Sequence, residues 1–294
     1  MIKKECFTAE WIEQVSSELH YNDKNLIEKV IRALSLLEML VKAGCPLVFK
    51  GGTALMLILG KSAHRLSIDI DVICPPGTNI EDYLKSFADF GFINLELVER
   101  KQRDDADIPK SHSKFFYQIA YRNDTDAQSY ILLDVLYEDI HYFRTQQIAI
   151  NCPFIRLEGK PLMVTVPSAE DILGDKLTAF APNTTGIPYY RNGRSCSMEI
   201  AKQLYDVGRL FENVSDLQIT KEAFRKIAVV ELSYRSFGTD IGQVFNDIRQ
   251  TALCISTRGK AGEGDFDLIQ DGIIRVKSFM YKQRYLIDHA IIDA

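Results

Sequence analysis

The 294-residue sequence predicts an α+β fold in two domains, a domain with a mixed sheet followed by a helical domain. Two observations support this prediction. Short or alternating apolar segments bounded by turn residues, which are typical of strands, occur in the first part of the chain. From about residue 166 onwards, apolar residues recur at helical spacing instead. We therefore place the N-terminal domain at residues 1–160 and the C-terminal domain at residues 161–294.

The N-terminal domain is predicted to contain helices and strands in mixed order, starting with a helix and a buried strand that ends at Gly51-Gly52. The polar stretch 100–113 is expected to be a mobile surface loop or the tip of a hairpin. The predicted elements are helices over residues 23–43, 53–59 and 80–90, and strands over residues 46–50, 68–73, 92–98, 115–121 and 130–137.

The C-terminal domain is predicted to be entirely helical. Its first helix begins with the capping sequence Ser168-Ala169-Glu170-Asp171, and a loop over residues 182–194 follows. The predicted helices cover residues 168–180, 197–211, 221–232, 241–255 and 266–292.

Composition and charge exclude several classes of protein. Hydrophobic residues make up 46% and charged residues 26% of the chain, as in ordinary soluble proteins. The net charge of −5 argues against a surface coated in basic residues for binding duplexes, although it permits a local basic cleft. The six cysteines show no CxxC spacing, which favours reduced thiols over disulfides or a zinc site. Without a signal peptide or an apolar span, we expect a cytoplasmic protein with no membrane partner.

Two aspartates on one predicted strand suggest a metal site. Asp69 and Asp71 are two residues apart, so both carboxylates should project from the same face. Like charges that face one way are costly unless a cation lies between them, and Mg²⁺ takes oxygen ligands while leaving positions for phosphate and water. The alternative is an exposed strand edge with solvated acids.

A diglycine upstream of these acids suggests a phosphate site. Gly51 and Gly52 lie between a strand and a helix, where backbone without Cβ approaches a phosphate closely and a helix N-terminus offers N–H groups. Arg65 and Ser67 add a charged donor and a hydroxyl just before the acids. The alternative for the glycines is a tight turn.

Asp134 is the best candidate for a third carboxylate, which would hold a second metal ion or act as the base for an incoming hydroxyl. It interrupts an otherwise apolar strand, and we expect that strand to neighbour the one with Asp69 and Asp71. The alternative is a structural pair with an arginine. The histidines lack metal-ligand spacing, so surface or packing roles are expected for His20, His64, His112, His141 and His289.

These motifs also resemble those of a known family. GGT at residues 51–53, followed by R-x-S-x-D-I-D at residues 65–71, is similar to nucleotidyltransferase toxins of the AbiEii/AbiGii type, in the DNA polymerase β-like superfamily. Residues 171–177 resemble the lysine-bearing helix of that family, and residues 202–207 resemble its R/K-D-x-x-D helix. Matching segments span about residues 47–210 in the same order, but Gln203 stands where the family commonly has an acid.

The resemblance implies a polymerase-β-like nucleotidyltransferase domain and a helical domain that completes the nucleotide site and the acceptor cleft. Such enzymes transfer a nucleoside monophosphate from an NTP and release pyrophosphate, with two Mg²⁺ ions expected here. Some relatives act on the 3′ end of tRNA, as toxins of toxin–antitoxin or phage-defence pairs. The implied residues are Asp69, Asp71 and Asp134 for metal, the same three with Lys176 for catalysis, and Lys50, Gly51, Gly52, Thr53, Arg65, Ser67, Lys176 and Asp206 for the nucleotide.

Other interpretations remain open at the sequence level. The acceptor could instead be a small molecule or a protein side chain, or the chain could be a nucleotide-binding or partner-binding module without catalysis. Lys176 could extend its amine to solvent from an apolar helix face, and Asp206 could form a surface pair with Lys202 or Arg209. An RNA acceptor would be bound by basic residues of the helical domain, namely Arg191, Arg194, Lys202, Arg209, Lys221, Arg225, Lys226 and Arg235. A cognate antitoxin is a further expected partner.

Overall fold

The structure is a computed structural model, and it describes residues 1–98, 108–121, 127–235, 238 and 240–294. The described chain divides into two compact units. The first contains residues 1–98, 108–121, 127–140 and 145–167, and the second contains residues 141–144 together with the described residues from 168 to 294. The first unit therefore extends to both sides of residue 160.

The first unit combines helices with a five-stranded sheet and a separate two-stranded sheet. Short 3₁₀ helices occupy Lys4–Phe7, Gly60–Ser62, Ile80–Tyr83 and Phe87–Phe90. The helices are α1 (Ala9–Leu19), α2 (Lys24–Lys42) and α3 (Gly51–Leu59), and the strands are β1 (Val48–Lys50), β2 (Ile70–Cys74), β3 (Asn94–Val98), β4 (Lys110–Gln118), β5 (Gln128–Tyr137), β6 (Thr145–Ala149) and β7 (Met163–Pro167).

The five-stranded sheet is mixed, as the sequence predicts. Its strand order is β1-β2-β5-β4-β3, in which β2 and β5 run parallel and the other neighbours run antiparallel. Apolar side chains alternate along the two central strands: Ile70 and Val72 of β2 are buried, as are Leu133 and Val135 of β5. Because side chains alternate between faces, the residues between them point to the opposite face of the sheet.

Helix α2 supplies much of the core of this unit. Its N-terminus is capped by Asp23, whose side chain accepts a hydrogen bond from the N–H of Leu26. Ile27, Ile31 and Leu34 follow at helical spacing and are completely buried. The apolar periodicity of the sequence therefore predicts both the helix and the face that it buries.

The second unit is helical apart from one short hairpin. Ser168 caps its first helix by accepting a hydrogen bond from the N–H of Asp171. A buried cluster that includes Leu204, Tyr205 and Tyr285 forms one core of the unit. The elements are α4 (Ala169–Ala179), the hairpin strands β8 (Tyr190–Arg191) and β9 (Arg194–Ser195), α5 (Ser197–Phe211), α6 (Leu217–Tyr234), α7 (Ile241–Ser256), α8 (Phe266–Val276) and α9 (Ile287–Asp293).

Two predicted helices are wrong. The expected helix over residues 80–90 is a pair of 3₁₀ helices, because apolar residues three to four apart satisfy that geometry as well. The expected helix over residues 266–292 is interrupted after α8 and resumes at α9. Between them, Lys282 has a φ of 63° and the side chains of Tyr281 and Tyr285 are buried, so the chain turns there to reach the core.

The sequence patterns also missed several elements. Helix α1 and the strands β6 and β7 were not predicted, and the predicted loop over residues 182–194 contains most of the β8–β9 hairpin. The expected surface loop or hairpin tip over residues 100–113 is wrong at its end, because Lys110–Ser113 belongs to β4, which pairs antiparallel with β3. Residues 100–107 of that prediction lie outside the described residues.

Candidate functional site

A row of polar residues crosses the sheet of the first unit. Lys50 of β1 is opposite Asp71 of β2, Asp71 is opposite Asp134 of β5, and Asp134 is opposite His112 of β4. Residues in register on neighbouring strands project from the same face, with the strands about 4.8 Å apart. The row therefore brings a lysine, two aspartates and a histidine together on one face.

Asp71 and Asp134 are the central members of this row. They are direct partners in the parallel β2–β5 pair. This agrees with the prediction that the strand of Asp134 neighbours the strand of Asp71. Both side chains are only partly buried, whereas their chain neighbours Ile70 and Val135 are buried on the other face. Two adjacent carboxylates repel each other unless a cation or a proton is shared between them.

The diglycine turn lies against Asp71. Gly51 has a φ of 79°, a conformation that residues with a side chain rarely adopt. A Cβ placed on Gly51 would lie 2.1 Å from Oδ2 of Asp71, which is far inside van der Waals contact. Glycine is therefore required at residue 51 for two independent reasons, the backbone angle and the approach of the carboxylate.

Gly52 brings the second half of the motif together. A Cβ on Gly52 would lie 2.6 Å from Oγ of Ser67 and 2.9 Å from Nη2 of Arg65. Arg65 is buried, and its Nη1 donates to the carbonyl oxygen of Leu66 at 3.0 Å. The predicted donors Arg65 and Ser67 thus lie directly beside the second glycine.

Helix α3 begins at Gly51, immediately after the strand β1. The first N–H groups of a helix have no carbonyl partner within it, and the helix dipole adds positive potential at that end. The absence of side chains at Gly51 and Gly52 lets Asp71, Ser67 and Arg65 lie against this start of the helix, where the N–H groups favour an anion. The strand–diglycine–helix unit is thus suited to binding phosphate next to Asp71.

Asp69 differs from the prediction in its position. Strand β2 begins at Ile70, so Asp69 lies one residue before the strand rather than within it, and it is exposed. Its backbone is nevertheless fixed, because Oγ1 of the buried Thr53 donates to the Asp69 carbonyl oxygen at 2.7 Å. The backbone of Asp69 is therefore held by a hydrogen bond from α3 and not by strand pairing within the sheet.

The arrangement of acids fits Mg²⁺. Among the described residues, no group of three or more His, Cys, Asp or Glu side chains is gathered closely enough to hold a metal ion by itself. Mg²⁺ is usually bound by only one or two carboxylates, with substrate phosphates and water as the other ligands. Asp71 and Asp134, beside a turn suited to phosphate, provide a donor set of that kind.

His112 was missed as a site residue by sequence reasoning. Its Nδ1 is hydrogen-bonded to Oδ1 of Asp134, and its side chain is only 10% exposed, compared with 37% for Asp134. A surface or packing role was expected for it because the histidines lack metal-ligand spacing, and residues 110–113 were included in a loop. The available signal is the spacing along the chain. If the strand predicted over residues 115–121 is extended back to Lys110, His112 lies opposite Asp134.

Lys176 and Asp206 form a buried pair in the second unit. Nζ of Lys176 lies 3.0 Å from Oδ2 of Asp206 and donates to Oε1 of Gln203 at 2.9 Å. The two ionic side chains are 10% and 1% exposed, so Asp206 is not in a surface pair and the amine of Lys176 does not extend to solvent. Both alternatives from the sequence analysis are therefore wrong, and Gln203 is part of the same cluster.

The basic residues of the second unit divide into two groups. Several contact their own unit: Arg209 pairs with Asp293 and Glu212, Arg235 pairs with Glu231, and Lys202 lies 3.6 Å from the ring centroid of Phe279. Arg191 and Arg194 instead face each other across the β8–β9 hairpin, and both are exposed. Lys221, Arg225 and Lys226 of α6 are exposed as well, so the hairpin and α6 both offer basic side chains to an external polyanion.

None of the helices in the described part of the chain is long and apolar enough to cross a bilayer.

The strand–diglycine–helix unit and its adjacent carboxylates are features of a nucleotidyltransferase, and comparison with known proteins supports this class. The family model described as "Nucleotidyl transferase AbiEii toxin, Type IV TA system" matches residues 33–277. The chain belongs to this family of nucleotidyltransferase toxins, which confirms the resemblance found in its motifs. No curated protein matches the sequence.

Three solved structures show distant similarity to the chain. MenT4, a nucleotidyltransferase toxin from Mycobacterium tuberculosis H37Rv, is 12% identical over 96% of this chain and 86% of its own, with a TM-score of 0.48. JHP933 from Helicobacter pylori is 17% identical over 88% and 95% of the two chains, with a TM-score of 0.39. A putative nucleotidyltransferase from H. pylori is 17% identical over 81% and 95%, with a TM-score of 0.37.

Proposed function

We propose that this toxin transfers a nucleoside monophosphate from an NTP to an RNA acceptor, the 3′ end of tRNA, in a reaction that depends on Mg²⁺. The observation that carries the proposal is the pairing of Asp71 with Asp134 directly beside Gly51. In nucleotidyl transfer the protein mainly positions the reactants and neutralises charge. Carboxylates next to a turn suited to phosphate serve both purposes.

In the proposed reaction, the oxygen of an acceptor ribose hydroxyl forms a bond to the α-phosphorus of the NTP, and the hydroxyl proton passes to Asp134 or to water. The bond from that phosphorus to the bridging oxygen breaks, and pyrophosphate leaves. Lys50, Gly51, Gly52 and Thr53 are proposed to hold the triphosphate, together with Arg65 and Ser67. The start of α3 at Gly51 and the approach of Ser67 and Arg65 to Gly52 support this assignment.

Asp71 and Asp134 are proposed as the principal metal ligands, with Asp69 as a third. Bound Mg²⁺, of which two ions are expected, would neutralise phosphate charge and lower the pKa of the acceptor hydroxyl. Asp134 is proposed to complete the carboxylate set on the side of the incoming hydroxyl. Its partial exposure supports this role, because an acceptor group reaches only an accessible carboxylate.

The roles of Lys176 and Asp206 are carried over from the family resemblance. Lys176 is proposed to neutralise phosphate charge as pyrophosphate departs, and Asp206 to hold the lysine. The 3.0 Å ion pair between them supports the second part, since a buried lysine with a fixed partner has a defined position.

The proposed acceptor and setting follow from the same class of enzyme. Arg191 and Arg194 are proposed to contact the phosphate backbone of the RNA, because both are exposed on one hairpin. Membership of a type IV toxin family implies a cognate antitoxin. The proposal includes a cytoplasmic location, because a tRNA-modifying toxin needs access to the cellular tRNA pool. It also includes a role in phage defence.

The proposal is tested by transfer of label. The purified protein is incubated with each of four α-³²P-labelled NTPs and, in parallel, total tRNA, a protein extract or a small-molecule extract. We expect label in tRNA only, its loss with EDTA, and a fall of about 1,000-fold for Asp71→Asn, as several kcal/mol of transition-state stabilisation is removed. Label in protein or in small molecules would change the acceptor class. Equal labelling by Asp71→Asn would contradict the mechanism.

A further inference from the structure

The environment of Asp134 contains a residue to which the proposed function assigns no role. His112 and Asp134 are opposite each other in the antiparallel β4–β5 ladder, and Nδ1 of the imidazole is hydrogen-bonded to Oδ1 of the carboxylate. The partner of Asp134 on the opposite strand, β2, is Asp71. Asp134 is therefore flanked by a histidine on one side and by the other acid of the site on the opposite side.

These two neighbours determine which oxygen of Asp134 is available to a ligand. An ionised carboxylate only accepts hydrogen bonds, so Nδ1–H of His112 donates to Oδ1. With Oδ1 held from the β4 side, Oδ2 is the oxygen left for a metal ion or an acceptor hydroxyl. A carboxylate with no such partner rotates about its terminal torsion, which has broad preferences.

A purely structural explanation accounts poorly for the histidine. Its side chain is 90% buried, and Nε2 is a buried nitrogen without a hydrogen-bond partner in the described part of the chain. A buried polar atom without a partner costs free energy, so an apolar ring of similar size would pack here at least as well. What an apolar ring lacks is the Nδ1–H donor.

We propose that His112 is a positioning residue that holds the Asp134 carboxylate in the orientation required for metal binding and nucleotidyl transfer. The inference rests on the proposed function of the same site. Hydrogen-bond partners of metal-binding side chains commonly fix their orientation, and removing such a partner typically costs about 10–100-fold in metal affinity or activity. His112 acts through Asp134 and does not touch the substrate.

Three variants and a control test this role. His112→Phe removes the donor and keeps a ring. His112→Asn retains a donor close to the position of Nδ1, whereas His112→Gln shifts the donor to the position of Nε2. The control is Ser111→Ala, since the Ser111 hydroxyl bonds to that of Tyr137 at 2.8 Å across the same two strands but from the opposite face.

The measurements are kcat and KM for NTP, Mn²⁺ affinity by titration calorimetry, and the midpoint of thermal unfolding. We expect His112→Phe and His112→Gln to lose about 10–100-fold in kcat and in Mn²⁺ affinity. Their KM for NTP should change little, and the unfolding midpoint of His112→Phe should not fall. His112→Asn should recover most of both losses. Ser111→Ala should match the native protein in kcat, KM and Mn²⁺ affinity, although its unfolding midpoint falls slightly because the Tyr137 hydroxyl loses its partner.

Several results would overturn the role of His112. One is native Mn²⁺ affinity in His112→Phe, and another is an equal response of the Asn and Gln variants. Absence of Mn²⁺ binding by the native protein would also overturn it. If the native protein binds Mn²⁺ but transfers no label to any acceptor, the proposed function fails. The Mn²⁺ affinities of the variants then still decide whether His112 positions Asp134.

Discussion

Two acidic regions of the molecule handle charge in opposite ways. In the first unit, Asp71 and Asp134 are neighbours on the sheet, both partly exposed, and two negative charges lie side by side. In the second unit, Asp206 is buried and its charge is balanced by Lys176 at 3.0 Å. The first pair of acids stays accessible on a face that also carries Lys50 and His112, whereas the second acid is balanced inside its own unit.

The difference between the two regions indicates which acids are expected to bind a ligand and which are expected to stabilise the fold. A buried pair that balances its own charge is expected to stabilise the fold whatever binds, because separating it leaves a charge in the interior. Adjacent like charges that remain accessible oppose folding and are retained where a ligand offsets the repulsion. Four measurements test this contrast, and they are given in order of decreasing expected effect.

The largest effect should come from the buried pair. Among the described residues, Asp206→Ala leaves the buried ammonium of Lys176 with the neutral Gln203 as its partner, and we expect a loss of about 3–5 kcal/mol in the free energy of unfolding by urea. The matched control is Glu212→Ala, which removes an exposed partner of Arg209 and should cost less than about 1 kcal/mol. Equal losses in the two variants would show that Lys176 is well solvated.

The adjacent acids should respond to a cation instead. Mg²⁺ at 100 times its dissociation constant should raise the free energy of unfolding of the native protein by about 2.7 kcal/mol, because it binds only the folded state. Asp71→Asn should lose most of this gain, and Asp206→Asn should keep it relative to its own starting stability. A gain of equal size in Asp71→Asn would locate the ion elsewhere.

Gly51 tests the contact between the turn and the acid. Gly51→Ala places a side chain at a φ of 79° and 2.1 Å from Oδ2 of Asp71, and should cost about 1–3 kcal/mol in unfolding free energy together with most of the activity. Gly44→Ala is a close control, with a φ of 75° but nothing within 4 Å of the added Cβ. The two variants should share the backbone strain, so only Gly51→Ala should lose activity.

The smallest effect is expected at Gln203. Gln203→Glu replaces a neutral acceptor of Lys176 by a charged one and should raise the unfolding free energy by about 1 kcal/mol, since hydrogen bonds to charged groups are the stronger class. The added negative charge should also raise KM for the NTP if Lys176 neutralises phosphate. An unchanged KM would argue that Lys176 serves only the fold.

The sequence predicted the centre of the molecule better than its edges. The pairing of Asp71 with Asp134 follows from two strands whose apolar residues alternate, because alternation determines which face each acid occupies. The polar half of β4 has no such pattern, so His112 was left in a loop. Asp69 was assigned to a strand that starts one residue later, a boundary that hydrogen bonding decides and side-chain chemistry does not.

The ion pair in the second unit shows a different limit. Helical spacing correctly predicted α4 and α5 and the apolar face that includes Lys176. Spacing within one helix does not reveal which side chains meet on another helix, and for that reason Asp206 was considered with Lys202 and Arg209 rather than with Lys176. Partners on separate elements require knowledge of how the helices pack.

The parallel pairing of β2 with β5 has a consequence for synthesis of the protein. The two acids lie on strands that are neighbours in the sheet, but β3 and β4 intervene in the chain between them. A nascent polypeptide that has emerged only as far as β4 contains the diglycine turn and Asp71 but not Asp134. The carboxylate pair is therefore incomplete at that stage. Ribosome-bound fragments should therefore be harmless, and toxicity should begin only once the late strand has inserted between its two neighbours.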